Sequence, residues 1–541
     1  MRSDRRPFLL IPAFIALCSL VIGTIGGGRV TAATNPEDSI SASMKAFTRV
    51  YDVVEQNFAD PVKADKAIYK GAIPGMLREL DPHSNFFDPK DYRALREEQV
   101  GHYAGVGMTV QSHTGKTVVL APFVGSPAYK AGLRPGDVIL EVNDKKTENL
   151  NTTEVADLLK GPKGTKVQIK VAREGSDQPV IFNIIRDVIP RYSVPDSFWL
   201  KPGIAYIKID QFNENTSKEM EEKLKRLGEK NIQGLVLDLR DNPGGLLNEG
   251  VDVAGHFLRR NEVVVSHRGR AANSNKTYTA RNDNGGKTYP IVVVVNRYTA
   301  SAAEIVSGAL QDHDRGWILG ETTFGKGLVQ TVYPLGENTA LALTTAHYYT
   351  PSGRLIQRDY SNISFLDYYS HTNLDQKNTQ DVKMTDSGRT VYGGGGITPD
   401  EKYTAAKYNK FQTEVLRKYA LYNFSAKFFG ARQDTRLPKG WEPDDKIVSD
   451  FRSFLEQNKI EFSEADFNAN RDWVRQQLKR EIYITAFGVD ESRQVAVEQD
   501  PEVQQAITSM TKAKALLDAA KKMMVERLHQ PEPVQLRADQ D

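Results

Sequence analysis

The chain has 541 residues, enough for several domains, and its composition is that of an ordinary globular protein, with 40% hydrophobic and 26% charged residues. Its formal net charge of +2 gives no reason to expect a nucleic-acid partner. Cys18 is the only cysteine, and the nine histidines form no HExxH or other close pair. The sequence therefore argues against structural disulfides, thiolate zinc sites, a cysteine nucleophile and a catalytic metal, and we expect no cofactor.

Residues 1–33 are typical of an export signal. Three arginines within the first six residues precede an apolar run to about residue 25, and Thr31-Ala-Ala33 offers a small-residue cleavage site. The alternative is an uncleaved membrane anchor, since the run approaches the roughly 20 residues that span a bilayer. A proline and four glycines in and just after the run weaken a spanning helix. We therefore expect export to the periplasm or cell envelope, with membrane association if the segment is retained; N-terminal sequencing of the purified protein distinguishes the two.

Residues 34–100 are predicted to be a helical region. Two apolar stripes recur at helical spacing, one through Phe47, Val54 and Phe58 and one through Ile73 and Leu77. Stripes of this kind usually face a core, and we expect these to do so.

Residues 101–190 have the pattern of a small β-rich domain, with short strands separated by glycine turns. The run Gly125–Asn143, GSPAYKAGLRPGDVILEVN, resembles the centre of a PDZ domain, and YAGVGM before it resembles the carboxylate-binding loop of such domains. Consecutive backbone N–H groups in a glycine-containing loop can form a nest for an anion, while a peptide adds as a strand beside it. A tight turn with no ligand is the alternative. The candidate peptide-binding residues are Tyr103, Ala104, Gly105, Val106 and Gly107.

Residues 191–404 are predicted to be a separate α/β domain. A strand at 203–209 precedes a charged helix, and a second strand at 234–240 ends in Asp241-Asn-Pro-Gly-Gly245 before another helical pattern. Paired glycines near a helix start form a ready anion site, although a structural turn fits as well. No GxGxxG or GxxxxGK[ST] motif is present, so a nucleotide-binding function is not supported.

The most informative stretch is Ile291–Gln330, IVVVVNRYTASAAEIVSGALQDHDRGWILGETTFGKGLVQ. The opening run predicts a buried strand, and the Ala-rich segment after Ser301 has helical spacing. A serine therefore lies where a strand turns into a helix, and Lys326 lies between two glycines 25 residues later. We expect Ser301 and Lys326 to meet in space.

A serine hydroxyl needs a base before it can act as a nucleophile. Ser301 is not in a GxSxG motif, and no histidine has a recognisable triad context. A lysine serves only if burial lowers its pKa from about 10.4. If the chain from Lys326 is extended, Gln330 lies on the same face and is able to orient the amine. The alternative is structural: Ser301-Ala-Ala-Glu304 also fits a helix capping box, with Lys326 an ordinary lysine in a turn.

With GLVLDLRDNPGGLL at 234–247, this stretch resembles the C-terminal processing peptidases, or tail-specific proteases, over about residues 45–400. The resemblance implies an exported serine endopeptidase with a Ser–Lys pair, an inserted PDZ domain and a crotonase-like α/β protease core. It implies substrates with free C-termini and, in some members, an adaptor protein. The site residues that it implies are Ser301 as nucleophile, Lys326 as base, Gln330 as orienting residue, Gly244 and Ala302 as oxyanion hole, and Asp238, Arg240 and Glu304 as supporting residues.

Two other functions share part of this pattern. A non-catalytic PDZ chaperone or scaffold would not need Ser301, Lys326 and Gln330 together, and a crotonase-type acyl-CoA enzyme would not need an export signal and a PDZ domain.

The chain departs from shorter family members in a polar insertion at 360–395 and a helical region at 405–541 that ends in a disordered tail. The last helix carries an apolar stripe from Val503 to Leu528, which packs either on its own domain or on another subunit. We expect a homo-oligomer formed through terminal helices.

Overall fold

The computed structural model describes residues 36–113, 115–271, 274–281, 287–361, 363–370, 378–430 and 435–529. The expected export signal, with Cys18, and the expected C-terminal tail lie outside the described residues. The chain divides into two compact units, Met1–Met76 and Leu77–Asp541. In the part of the chain that the structure describes, no helix is both long and apolar enough to cross a bilayer.

The first unit is helical. Its main element is α1 (Pro36–Asn57), followed by α2 (Ala64–Ala67), a π-helical turn at Ile68–Ala72 and the start of α3 (Ile73–Arg78). The expectation that the α1 stripe is core is wrong, because Phe47 is 45% exposed and Phe58 is 63% exposed. Apolar periodicity shows that one face of a helix is apolar, but it does not show what covers that face.

The second unit begins with a short connecting region and the PDZ domain. The antiparallel sheet of this domain has the order β3-β4-β5-β7-β8, with β6 beside β5. Strand β3 has one neighbour, β4, so its other edge is unpaired within this sheet, and α6 packs against β3, β4 and β5. The elements are β1 (Asn85–Phe87), α4 (Pro89–Val100), β2 (His102–Gly105), β3 (Met108–His113), β4 (Lys116–Pro122), α5 (Pro127–Ala131), β5 (Val138–Val142), β6 (Lys145–Lys146), α6 (Thr152–Leu159), β7 (Lys166–Ala172), β8 (Val180–Ile185) and β9 (Asp187–Pro190).

The PDZ domain is inserted between the connecting region and the α/β domain. Strands β2 and β9 pair antiparallel from His102 with Pro190 to Gly105 with Asp187, so the chain enters and leaves the domain side by side. The helices inside the domain begin at local signals that the sequence carries. Ser126 accepts from the N–H of Tyr129 at the start of α5, and Asn151 forms a capping box at the start of α6.

A six-stranded sheet forms the centre of the α/β domain that follows, in the order β10-β11-β12-β15-β16-β21. All of its strands run parallel except β10, which pairs antiparallel with β11. The elements are β10 (Ser197–Lys201), β11 (Ile204–Lys208), α7 (Thr216–Leu227), β12 (Gly234–Asp238), α8 (Leu247–Gly255), β13 (Val263–Arg268), β14 (Lys276–Thr279), β15 (Ile291–Val295), α9 (Ala302–Asp312), β16 (Trp317–Gly320), β17 (Leu328–Gly336), β18 (Thr339–Tyr349), α10 (Phe365–Tyr369), β19 (Asn378–Met384), β20 (Thr390–Gly393) and β21 (Glu401–Lys402).

The β-branched run of β15 is buried on both sides, which is why it has no polar alternation. Ile291, Val293 and Val295 pack with α7, α8 and α9, whereas Val292 and Val294 face the opposite side of the sheet. A second, antiparallel sheet has the order β1-β18-β13-β14, and β17 pairs with the opposite edge of β18, from Thr339 to His347. This arrangement carries the loop of Lys326 and the start of β17 beside α9.

The C-terminal region supplies two different layers. The first five helices enclose a Phe-rich core, the sixth packs against the fifth, and the final two lie on the central sheet. The elements are α11 (Lys410–Arg417), α12 (Ala420–Phe429), α13 (Asp445–Gln457), α14 (Glu464–Ala469), α15 (Arg471–Ala486), α16 (Val489–Glu498), α17 (Pro501–Thr508) and α18 (Met510–His529).

The C-terminal apolar stripe packs on its own chain. It is divided between α17 and α18, and Val503, Ala506, Met510 and Ala513 cover the free face of the central sheet together with Val292 and Val294. The sequence leaves open whether the stripe packs on its own domain or on another subunit. This part of the stripe packs on its own domain. The sheet is enclosed by helices on both faces, which explains why its strands are apolar throughout.

Candidate active site

Ser301 occupies the turn between β15 and α9. Its backbone has φ 55° and ψ −117°, a conformation that is costly for a residue with a Cβ and that persists only where its surroundings impose it. The N–H of Ser301 donates to Glu304 Oε2 at 2.8 Å. The N–H of Glu304 donates to the backbone carbonyl oxygen of Ser301, and the serine hydroxyl makes no capping hydrogen bond. Ser301 and Glu304 therefore have the reciprocal arrangement of a capping box, in which the hydrogen bonds are made by the backbone of Ser301 and not by its hydroxyl.

Glu304 connects the turn of Ser301 to the loop of Lys326. Its carboxylate is fully buried and accepts from the N–H of Ser301 and the N–H of Lys326 on the same oxygen, at 2.8 and 2.9 Å. Its other oxygen accepts from Thr323 Oγ1 at 2.5 Å and from the N–H of Gly325 at 2.7 Å. Burial raises the pKa of Glu304, while these four hydrogen bonds act in the opposite direction. One side chain therefore brings together the two segments that the sequence analysis expected to meet.

Tyr348 on β18 makes a second bridge between the same segments. Its hydroxyl donates to the carbonyl oxygen of Ser301 at 3.1 Å and also contacts the carbonyl oxygen of Lys326. The Tyr348 side chain is 1% exposed, so these bonds lie away from solvent. The backbones of Ser301 and Lys326 are consequently fixed from two sides.

Lys326 lies in a loop whose shape depends on its flanking glycines. A Cβ on Gly325 would lie 3.0 Å from the backbone nitrogen of Gly396, and one on Gly327 would lie 2.8 Å from that of Gln357. Burial lowers the pKa of the Lys326 amine below its ordinary value, more than the carboxylates of Glu304 and Asp81 raise it. The close packing of this loop thus favours a neutral amine, which is the form that can accept a proton.

Gln330 lies on β17, which begins at Leu328 and pairs with β18. The pairing contains a β-bulge beside Gln330, and its extra residue, Thr345, belongs to β18, so β17 itself is continuous through Gln330. The amide Nε2 of Gln330 donates to Thr344 Oγ1 at 3.2 Å. The orienting role of Gln330 toward the Lys326 amine stays a prediction.

The Gly244–Gly245 turn lies directly against Ser301. A Cβ on Gly244 would lie 2.6 Å from the Cβ of Ser301 and 2.9 Å from the backbone nitrogen of Ala302. A Cβ on Gly245, where φ is 137°, would lie 2.1 Å from the carbonyl oxygen of Phe212. Both positions require glycine for close approach. The N–H of Gly244 donates to Asn242 Oδ1 at 2.8 Å, whereas Ala302 is the first residue of α9, where an N–H has no acceptor within the helix.

Asp238 and Arg240 anchor the strand that leads into this turn. Asp238, at the end of β12, is 1% exposed and accepts from Arg240 Nη2 at 2.6 Å. Burial acts to raise the pKa of Asp238, but Lys208 and Arg240 lower it well below its ordinary value. Arg240 Nη1 also donates to Asp500 at 2.7 Å and to Glu502 at 2.8 Å. Sequence analysis missed these two acidic residues, which lie about 260 residues away and tie α17 to the glycine turn.

The expected carboxylate-binding loop is partly a strand. Tyr103, Ala104 and Gly105 form β2, since their backbones pair with β9. Beyond them the chain turns at Gly107, whose φ is 79° and whose carbonyl oxygen accepts from Ser126 Oγ at 2.7 Å. Strand β3, with its unpaired edge, starts at the next residue. Only Val106 and Gly107 of the five candidate residues therefore form a loop.

The segment after α3 contributes two further groups near Lys326. Asp81 and the Lys326 amine attract one another electrostatically, and burial together with the Lys326 charge lowers the pKa of His83 to about 3. His83 Nε2 is 2.9 Å from the hydroxyl of Tyr368 on α10. The sequence marks Asp81-Pro82 only as the end of a helix, and no local signal places it at the site.

Comparison with known proteins finds two families that match parts of the chain. The profile of Peptidase family S41 matches residues 203–362, and that of the PDZ domain matches residues 109–173. The carboxy-terminal-processing protease of Bartonella bacilliformis is 38% identical over 328 residues, which cover 60% of this chain and 75% of that protein. The carboxy-terminal processing protease CtpA of Bacillus subtilis is 30% identical over 380 residues, with 68% and 80% covered.

A solved structure of a photosystem II D1 C-terminal processing protease is 30% identical and covers 66% of this chain and 86% of its own, with a TM-score of 0.35. The expected fold class is confirmed: a mixed α/β protease fold with a PDZ domain and a helical C-terminal region. The two relatives are matched over three quarters or more of their own length, at 30% identity or above. The chain therefore belongs to the C-terminal processing peptidases of family S41, which are serine-type peptidases with a PDZ domain.

Proposed function

We propose that this peptidase is an exported endopeptidase that cleaves proteins at or near their C-termini, with Ser301 as nucleophile and Lys326 as general base. The observation that carries the proposal is the shared attachment of both residues to the buried carboxylate of Glu304. The lowered pKa of Lys326 supports its role, because a charged amine cannot take the serine proton. Export rests on the sequence of residues 1–33 alone.

The proposed reaction is acyl transfer. Neutral Lys326 takes the Ser301 hydroxyl proton as Oγ bonds to the peptide carbonyl carbon. Protonated Lys326 then gives that proton to the leaving amine as the C–N bond breaks, which leaves an acyl ester on Ser301. Water hydrolyses this ester by the reverse proton path, so that Lys326 again acts first as base and then as acid.

The oxyanion would bind to backbone N–H groups beside Ser301. The N–H of Ala302 is placed at the start of α9, and each such donor contributes roughly 3 kcal/mol to catalysis. For Gly244 to contribute, its N–H must leave Asn242 Oδ1 and turn to the substrate oxygen. Formation of a complete oxyanion hole therefore includes a local rearrangement of the turn at 241–245.

We further propose that the PDZ domain binds the free C-terminus of the substrate. The unpaired edge of β3 lies beside α6 and follows the turn at Gly107, an arrangement that accepts a peptide as an added strand. Full-length Ser301→Ala protein should bind a peptide with a free carboxylate about 10-fold more tightly than the same peptide with a C-terminal amide, because only the former carries an anion for the loop. Fluorescence anisotropy with a labelled peptide pair measures this ratio, and equal affinities would contradict tail recognition.

The homo-oligomer is proposed to form through α1. Five residues of this helix and the residue that follows it have alternating spacings of four and three, the pattern of a coiled-coil seam, and five of the six are 43–64% exposed. They are Ile40, Met44, Phe47, Tyr51, Val54 and Phe58. A second copy of the helix presents the same seam, so a dimer buries both.

Sedimentation equilibrium of the full chain should show a dimer that the double substitution Phe47→Glu/Val54→Glu converts to monomer, since both charges would be buried in the seam. Val53→Glu adds a charge to the same helix away from the seam and should leave the dimer intact. A wild-type monomer, or equal effects of the two variants, would count against this interface.

A further inference from the structure

Asp81 organises a rigid turn next to the loop of Lys326. Its Oδ1 accepts from the N–H groups of His83 and Ser84, both at 2.8 Å, and its Oδ2 accepts from Ser84 Oγ at 2.6 Å. Asp81 and Ser84 are 6% and 8% exposed. The turn is held against the catalytic domain because the strand that follows it, β1, pairs with β18. The carboxylate thus has a fixed position relative to β18.

A chain of hydrogen bonds continues from this turn to Gln330. The N–H of Thr344 on β18 donates to Ser84 Oγ at 3.1 Å, and Gln330 Nε2 donates to Thr344 Oγ1 at 3.2 Å. An amide has one donor end and one acceptor end. Because the Nε2 of Gln330 donates to Thr344, the amide oxygen of Gln330 is the atom that remains to accept a hydrogen bond from an amine.

The groups that face the Lys326 amine come from several elements. Glu304 and Asp81 are acidic and favour its protonated form, whereas burial favours the neutral form. His83 is uncharged at neutral pH, because burial and the Lys326 charge lower its pKa to about 3. The Arg358 charge also lowers the pKa of His83, and its guanidinium is 4.5 Å from the Tyr368 ring centre. The Tyr348 hydroxyl contacts the carbonyl oxygen of Lys326. Asp81 is therefore one of two acidic groups opposing the effect of burial on this amine.

We propose that Asp81 is a positioning residue for Lys326: through Ser84 and Thr344 it fixes the amide of Gln330, and its negative charge acts on the lysine amine. The first effect sets the direction of the amine lone pair toward Ser301. The second keeps the amine basic enough to remove a proton from a hydroxyl. The inference rests on the proposed function, in which Lys326 is the general base.

Asp81→Asn tests both effects in the full-length enzyme. Removing the negative charge lowers the pKa of Lys326 further, so the acidic limb of the kcat/KM pH profile should move to lower pH by about one unit. The value of kcat/KM on the plateau should fall about 10-fold, because a weaker base is less effective. Asp177→Asn, at an exposed turn between β7 and β8, removes one carboxylate from the surface and should leave the profile unchanged.

Two further variants separate the hydrogen-bond chain from the charge. Ser84→Ala and Thr344→Val each break the chain while Asp81 keeps its charge, so each should lower the plateau about 10-fold with no shift of the acidic limb. The double variant should be no worse than either single one, because the chain is already broken. This non-additivity remains measurable if Asp81→Asn does not fold.

The inference is overturned if Asp81→Asn lowers kcat/KM equally at every pH, or if Ser84→Ala and Thr344→Val have additive effects, since both results describe a residue that only supports the fold. Lys326→Met distinguishes this failure from a failure of the proposed function. If Lys326→Met is active, Lys326 is not the general base, and both the proposed function and the inference about Asp81 are wrong. If Lys326→Met is inactive but Asp81→Asn behaves like Asp177→Asn, only the inference about Asp81 is wrong.

Discussion

Ser301→Ala is expected to lower kcat/KM for peptide cleavage by about 10⁴-fold or more, with the thermal stability of the protein unchanged. The loss is large because no covalent intermediate can form without the nucleophile. Stability is preserved because alanine and serine each place a Cβ at the positive φ of this turn, and the hydroxyl makes no capping hydrogen bond. Cleavage of a denatured protein substrate, followed beside a thermal melt, measures both quantities.

Ser307→Ala is a matched control for this change. Ser307 lies on the same helix and is fully buried, and its Oγ donates to the carbonyl oxygen of Ala303 at 2.9 Å. Its loss should leave activity within a few-fold of the wild type. Ser301→Gly should be inactive and also more thermostable than Ser301→Ala, by about 1 kcal/mol, because glycine adopts positive φ readily. Activity of Ser301→Ala close to that of Ser307→Ala would rule out Ser301 as the nucleophile.

The local architecture around Ser301 is predictable because its signals are local. A β-branched run, a break and an Ala-rich helical pattern predict a strand, a turn and a helix, and the structure contains β15 and α9 at these positions. The tight loop around Lys326 is also predictable from its flanking glycines. A Cβ at Gly325 or Gly327 would lie too close to the backbone of Gly396 or Gln357, so these positions need glycine. The close approach of the two segments is not local, and it depends on the family resemblance together with Glu304.

Long-range contributions to the site have no such signal. Asp81 belongs to a segment whose only visible property is that a helix ends there, and Glu502 belongs to a helix that precedes the C-terminus. Each reaches the site because another element carries it there: β1 pairs with β18, and α17 packs on the central sheet. Gln330 shows a related limit, since its spacing from Lys326 predicts a shared face only if the whole segment between them is extended, and β17 begins only at Leu328.

Lys326→Met is expected to lower kcat/KM by about 10³-fold or more, because methionine keeps most of the side-chain volume and removes the amine that takes the serine proton. Lys223→Met is the matched control. Lys223 is also partly buried, its pKa is also lowered by burial, and it lies on α7 with its amine 3.3 Å from the carbonyl oxygen of Pro195. That variant should retain activity within a few-fold, so that a loss specific to Lys326 identifies the base.

The pH dependence of kcat/KM also tests the assignment of Lys326 as the base. Only neutral Lys326 accepts a proton, so kcat/KM should rise with pH and level off at the pKa of the free enzyme's lysine, below the ordinary value of 10.5 because burial lowers it. A histidine base predicts a different outcome. His83 is the histidine beside the amine, and with a pKa of about 3 it would be neutral across the whole range and would place the rise near pH 3. It is also a weak base for a hydroxyl proton. A profile that rises near pH 3 and disappears in His83→Gln would therefore replace Lys326 with His83. A rise at higher pH, still below 10.5, that is absent from the residual activity of Lys326→Met supports the lysine.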